Sequence, residues 1–213
     1  MQLAVHQGRS AKMAESIDKI FSLSPNVKEA LAKTPRGIFV PRGFEHLAYE
    51  IDALPIAKNQ WISSPLTVAK MTEYLAPIGV DRVLEIGCGS GYQAGVLSHL
   101  FRGVFTIERI EQLVVEAKKH FKDLDYHNIH VRRDDGQNGW VGYAPYDRIL
   151  FSATAKSIPP KIFEQLADDG ILVAPVWVGS SQVITKFTKK SGRIVAEEME
   201  ECDFVPIVDG VEK

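Results

Sequence analysis

Between residues 82 and 176 the chain alternates two rhythms. Short apolar runs at 82–86, 103–107, 128–132, 146–151 and 170–176 read as buried strands. The segments between several of them repeat apolar positions every three or four residues. Helix 91–100 carries Tyr92, Val96, Leu97 and Leu100; helix 110–124 carries Ile110, Leu113, Val114, Ala117 and Phe121; a further helix is expected at 159–167. Strand and helix in regular succession imply an α/β fold, a mostly parallel doubly wound sheet covered on both faces. The rhythm then changes. Gln182–Thr188 and Arg193–Glu198 read as antiparallel strands joined through Lys190-Ser191-Gly192.

Ahead of this core, residues 9–34 favour helix with Pro25 interrupting. Met13, Ile17, Ile20 and Phe21 mark one apolar face, and Val27, Ala30 and Leu31 the next. Residues 35–62 are punctuated by Pro35, Pro41 and Pro55 and read as irregular. Ser63-Ser64-Pro65 then opens a helix, with serine suited to the cap and proline to the first turn. Without repeats or linkers, residues 1–213 are expected to form one domain. It comprises an N-terminal helical and loop region over 1–80, a cofactor-binding core over 81–176, and C-terminal strands over 177–213.

At 213 residues and 45% hydrophobic, such a domain buries roughly 70% of its unfolded surface. A net charge of −2 with no long basic run gives no electrostatic footprint for nucleic acid. No apolar stretch approaches a membrane span, and residues 1–13 lack the apolar core of a signal peptide. Cys88 and Cys202 form no Cys-x-x-Cys pair, which suits a reducing cytoplasm. The six histidines form no metal-binding pattern, so no metal is expected.

The candidate chemistry lies in Val83-Leu84-Glu85-Ile86-Gly87-Cys88-Gly89-Ser90-Gly91, an apolar strand running into a glycine turn. Glycine lets the backbone turn sharply and lets a ligand lie against bare main chain. The Gly-x-Gly-x-Gly spacing, with no following Lys-Ser/Thr, excludes a Walker-type phosphate loop and disfavours a dinucleotide fingerprint. Glu85 ahead of the first glycine suits a cofactor with an amino-acid part and no pyrophosphate, and S-adenosylmethionine is that cofactor. Glu108 ends the next strand 21 residues after Gly87, where an acid accepts hydrogen bonds from ribose hydroxyls. A solvated acid at a helix start is the bland alternative. Asp135-Gly136 follows the third strand and reads either as an adenine-side contact or as an ordinary turn. Cys88 reads as a small filler in the turn.

Over nearly its whole length the sequence resembles the protein-L-isoaspartate (D-aspartate) O-methyltransferase family. The resemblance is carried by Phe39-Val40-Pro41, Ala53-Leu54-Pro55-Ile56, Gln60-x-Ile62-Ser63-x-Pro65, the glycine turn, Glu108-Arg109-Ile110, Asp135-Gly136 with Gly139-Trp140, and Phe204-Val205-Pro206-Ile207-Val208. It implies a Rossmann-like S-adenosylmethionine-dependent methyltransferase fold with an N-terminal helical addition. It further implies a usually monomeric enzyme that methylates the α-carboxylate of isoaspartyl residues in damaged proteins and peptides. The ester then collapses to a succinimide that reopens partly to aspartate. By position, Ser63 corresponds to the active-site serine. Glu85, Gly87, Gly89, Gly91, Glu108, Asp135 and Gly136 fall on cofactor positions, and Trp61, Ile62, Val205 and Pro206 on the substrate side.

An isoaspartyl carboxylate is already ionised at neutral pH and needs orientation rather than a general base. Ser63 suits a hydrogen-bonding role of that kind. The bland alternative is that Ser63 and Ser64 merely cap the helix opened by Pro65; Ser64, directly before the proline, suits the cap better, which leaves Ser63 free for substrate. One departure bears on the substrate. Trp61 occupies the place of a small hydroxyl residue, and Ala57 and Asn59 replace flanking glycines. An indole there walls the peptide entrance, stacks on a different substrate, or packs beneath the loop. Two other readings therefore stand beside isoaspartyl methylation: methylation of another peptide or small-molecule carboxylate, and non-catalytic S-adenosylmethionine binding.

Overall fold

A computed structural model describes residues 2–212. Its centre is a seven-stranded sheet of order β5-β4-β3-β6-β7-β8-β9, preceded by a two-stranded hairpin of β1 (Leu54–Ile56) and β2 (Gln60–Ile62). Strands β3 (Arg82–Ile86), β4 (Gly103–Glu108), β5 (Ile129–Arg133), β6 (Tyr146–Phe151) and β7 (Leu166–Val178) run parallel. β8 (Ser181–Lys190) and β9 (Arg193–Cys202) continue the sheet antiparallel, as the change of rhythm implies.

Alternation along the strands splits the core in two. Val83, Val104, Leu150 and Val173 pack with residues of α1 (Gln2–Ile20), α2 (Pro25–Lys33), α3 (Pro65–Tyr74), α4 (Tyr92–Ser98) and α5 (Glu111–Asp123). Leu84, Phe105, Ile149 and Leu172 face the other way and pack with Ile162 of the short α6 (Pro160–Glu164). Helices cover both faces, the first far more heavily.

Four elements depart from the sequence expectation. Helix α1 begins at Gln2 rather than at 9, because its buried face includes polar residues. His6 and Ser10 are buried with Met13, Ala14 and Ile17; His6 Nδ1 lies 2.8 Å from the Tyr49 hydroxyl, and Ser10 donates to the Thr34 carbonyl at 2.8 Å. The stretch 35–62 contains short 3₁₀ turns and the β1–β2 hairpin, whose three-residue strands are too short to show a period. Helix α6 spans five residues, since Leu166 already pairs with Tyr146 in the sheet. Strand β7 therefore starts early and carries an irregularity at Asp168-Asp169-Gly170, with Asp169 at φ +60°.

Candidate active site

The chain runs from β3 outward to β4 and β5, then returns to the other side of β3 as β6. A crevice opens at such a reversal, at the carboxyl ends of the strands. Its wall comprises the glycine turn after β3, Glu108 to Ile110 after β4, Gly136 after β5, and Ser152 after β6.

The turn is built on left-handed backbone, with Gly87 at φ +95° and Gly89 at φ +54°. The Gly87 and Cys88 amides both donate to the Ile107 carbonyl, at 2.9 and 3.2 Å, tying the turn to β4. Glu108 holds it from beyond, accepting from the Gly89 amide at 2.8 Å and the Ile110 amide at 3.0 Å. Its side chain is buried at the cleft wall, so it is not a solvated helix-start residue. Gly91 starts α4 at φ +92°, and a Cβ there would lie 2.6 Å from Phe121. It lies outside the residues that line the cleft. Asp135 also lies outside the lining; its carboxylate accepts from the Gln137 amide at 3.0 Å and the Gly210 amide at 2.9 Å.

Glu85 is fully buried on the cleft wall. It accepts from the Thr106 hydroxyl at 2.6 Å and the Ser152 hydroxyl at 3.1 Å. Burial raises its pKa to about 8 against these two bonds, with Glu108 adding repulsion. Burial likewise pushes the Cys88 thiol well up, which leaves it an inert filler.

An open groove adjoins the cleft, lined by Leu66, Thr67 and Lys70 of α3 and by Glu200 to Asp203 at the end of β9. The two spaces share Trp61, Ser63, Ser152, Phe204 and Val205. Ser64, not Ser63, caps α3: its hydroxyl accepts from the Leu66 amide at 3.3 Å and donates to the Ile51 carbonyl at 3.3 Å. The Ser63 side chain is thereby spared for the junction. Trp61 is 53% exposed at the mouth, so packing beneath the loop is ruled out for its indole. Ile62 is buried in the core behind it.

The segment from Phe204 to Glu212 roofs the cleft. The Thr154 amide donates to the Val205 carbonyl, and the Ile207 amide donates to the Thr154 carbonyl, both at 2.8 Å. At the far end Glu212 pairs with Arg109 at 2.9 Å and with Lys58 of the hairpin at 3.6 Å. Val205 and Pro206 thus stand where the cleft meets the groove.

Residues 7–212 match the family model for protein-L-isoaspartate(D-aspartate) O-methyltransferase. The chain belongs to that family. A Helicobacter pylori strain J99 protein-L-isoaspartate O-methyltransferase is 55% identical over 201 residues, covering 94% of this chain and 96% of the relative. The Dictyoglomus turgidum enzyme of the same name is 46% identical over 184 residues, 86% of this chain and 84% of the relative. A Plasmodium falciparum protein-L-isoaspartate O-methyltransferase structure, solved with S-adenosyl-L-homocysteine, superposes with a TM-score of 0.84 at 20% identity. It covers 93% of this chain and 98% of that one, and shows the shared fold.

One residue of the junction carries no signal in the sequence. Arg36 is completely buried, donating from Nε to the Ala48 carbonyl at 2.8 Å, from Nη1 to the Ser63 carbonyl at 2.9 Å, and from Nη2 to the Asp52 carbonyl at 3.1 Å. Its guanidinium carbon lies 4.9 Å from the centre of the Tyr92 ring. One cation thus ties three turns of the irregular stretch to the backbone of Ser63. Thr106 and Ser152, the partners of Glu85, belong to no motif of their own; Ser152 directly follows β6, at the carboxyl end of the sheet where such folds bind ligands.

Proposed function

We propose that this chain transfers a methyl group from S-adenosylmethionine to the α-carboxylate of L-isoaspartyl residues in damaged proteins and peptides, the first step of their repair. The observation that carries the reading is the junction of a glycine-walled cleft with an open groove, where Ser63 lines both. The cleft residues suit this cofactor. Glu108 at the end of β4 is placed to take ribose hydroxyls, Gly87 and Gly89 leave bare backbone beside it, and Glu85 offers a carboxyl to a positively charged amino-acid part. Gly136 takes the adenine side, with Asp135 shaping its turn and Gly91 setting the start of α4. When bound, S-adenosylmethionine supplies an electrophilic methyl: the substrate oxygen takes the methyl, and the electrons of the broken carbon–sulfur bond stay on sulfur.

The protein's part is placement. Ser63 donates a hydrogen bond to the isoaspartyl carboxylate, which needs no general base because its pKa lies near 3.5. Val205 and Pro206 hold the substrate backbone, and Trp61 walls the entrance with Ile62 packed behind it. Holding two reactants in line contributes about 7–11 kcal/mol to lowering such a barrier. The exposed Trp61 favours one second reading, in which a differently shaped carboxylate stacks on the indole. A monomer working in the cytoplasm completes the reading, consistent with two free cysteines. A net charge of −2 favours no nucleic-acid partner, and no helix among the described residues is long and apolar enough to cross a membrane.

The test is transfer of labelled methyl from S-adenosylmethionine to a short isoaspartyl peptide, with the normal aspartyl peptide beside it. Labelling of the isoaspartyl form alone is expected. Cofactor binding without transfer would give the second reading precedence.

A further inference from the structure

The cleft contains a buried acid that no positive charge among the described residues balances. Glu85 is completely buried at the end of β3 and faces the cleft. Its surroundings are neutral or acidic. Thr106 from β4 and Ser152 after β6 meet it through hydroxyls, at 2.6 and 3.1 Å. Cys88 in the glycine turn adds a buried thiol, and Glu108 at the end of β4 adds a second carboxylate. From α5, Phe121 and Ala117 pack against Gly91 of the turn, and His120 lies with Nδ1 3.0 Å from the Ser90 carbonyl. Arg109 is the one basic side chain among the described lining residues, and Glu212 already holds it at 2.9 Å. Ionising a carboxyl here is unfavourable, because neither bulk water nor a cation compensates its charge.

We propose that Glu85 is the counter-charge of the cofactor cleft: it stands neutral in the free enzyme and gives its proton to solvent when a positively charged ligand enters. The inference rests on the S-adenosylmethionine reading above. It assigns Glu85 a selective role, since a ligand without positive charge gains nothing from the ionised acid and leaves the proton in place. Burial that keeps the group neutral up to about pH 8 supports the assignment.

Calorimetric titration with S-adenosylmethionine at pH 7, in two buffers of different ionisation enthalpy, counts protons released per ligand bound. Wild type should release more protons than Glu85→Gln, approaching one per ligand bound, because the variant's amide can still hydrogen-bond both hydroxyls but cannot ionise. The ligand's α-amino group, with an ordinary pKa of about 7.7–8.0, is already mostly protonated at pH 7 and adds little to the count. The neutral analogue 5′-methylthioadenosine should release no proton from either protein. Between pH 6 and pH 7, wild-type affinity for S-adenosylmethionine should rise about tenfold relative to the variant. Equal proton counts in the two proteins, or release on adding the neutral analogue, would overturn the inference and leave the cofactor reading standing. No binding at all would overturn both. Should Glu85→Gln fail to fold, infrared difference spectra of the wild type decide: loss of a protonated-carboxyl band on loading is expected, and its persistence refutes the proposal.

Discussion

Arg36 offers the sharpest test of how this scaffold holds its junction. Replacing it with methionine keeps much of the aliphatic volume and removes three charge-assisted hydrogen bonds. The carbonyls of Ala48, Asp52 and Ser63 then lose their donor in a site where the guanidinium is fully buried. Each buried acceptor left unpaired costs about 1–3 kcal/mol. Against this, the variant no longer desolvates a cation, a penalty of several kcal/mol that the wild type sustains without any carboxylate partner. Burial accordingly lowers the guanidinium pKa, though arginine stays charged throughout the working range. We expect a net loss of about 2–4 kcal/mol, which for a chain of this length lowers Tm by roughly 5–15 °C.

The consequence for activity is separable from stability. At temperatures where the variant is folded, the Ser63 carbonyl is no longer anchored, so kcat with an isoaspartyl peptide should fall while cofactor affinity holds. Arg36→Lys should recover part of the stability, because a single ammonium cannot span three carbonyls in a fork. Urea unfolding and calorimetry measure the first effect, and steady-state kinetics at 20 °C the second. If Arg36→Met unfolded within about 0.5 kcal/mol of wild type with unchanged kcat, the claim that this cation organises the junction would be wrong.

Ser63→Ala should lower kcat/KM for the isoaspartyl peptide roughly 10- to 100-fold, the worth of one hydrogen bond to a charged group, while equilibrium dialysis shows unchanged cofactor affinity. Glu108→Ala should do the reverse, weakening cofactor affinity at least tenfold by calorimetry. It should also cost about 1–3 kcal/mol of stability through the amides of Gly89 and Ile110. Gly91→Ala should destabilise by about 1–3 kcal/mol in urea, since φ +92° is strained for alanine and the added Cβ meets Phe121 at 2.6 Å. Stability should also fall with pH in a window set by Glu85. Its folded pKa is raised, so the native state binds the proton more tightly than the unfolded chain. The group therefore favours folding in acid, and its contribution is lost as pH rises from the ordinary glutamate range to about 8. Between pH 6 and pH 8 the ligand-free wild type should lose about 2–3 kcal/mol relative to Glu85→Gln; parallel urea curves for the two proteins would refute this.

The parallel core was legible because its signals are local and strong. Strands such as Val104 to Ile107 are buried on both faces, and α5 repeats its apolar positions without interruption. The glycine turn was legible for the same reason: no other residue takes φ +95° beside a bare backbone so readily. The choice between Ser63 and Ser64 was legible from Pro65 alone, and the Ser64 cap agrees with it. Polar burial was not legible. His6, Ser10, Arg36 and Glu85 all lie inside, and each is satisfied by a partner at least 12 positions away in the chain. No period reports a contact of that kind.

The same distinction explains why the substrate side is harder to read than the cofactor side. The cofactor cleft is written in backbone conformation, which glycine spacing reveals directly. The junction depends instead on two long-range ties: Arg36, which reaches Ser63 across 27 positions, and Thr154, which anchors Val205 across 51. Both fix main chain rather than presenting side chains to the ligand. A substitution at an exposed position such as Trp61 can therefore reshape the entrance while leaving the placement of Ser63 intact. Kinetics should separate the two. Trp61→Thr should alter KM for peptides that differ in bulk beside the isoaspartyl residue, with kcat for the smallest peptide unchanged. A fall in kcat for every peptide would place the indole in the positioning of the carboxylate itself.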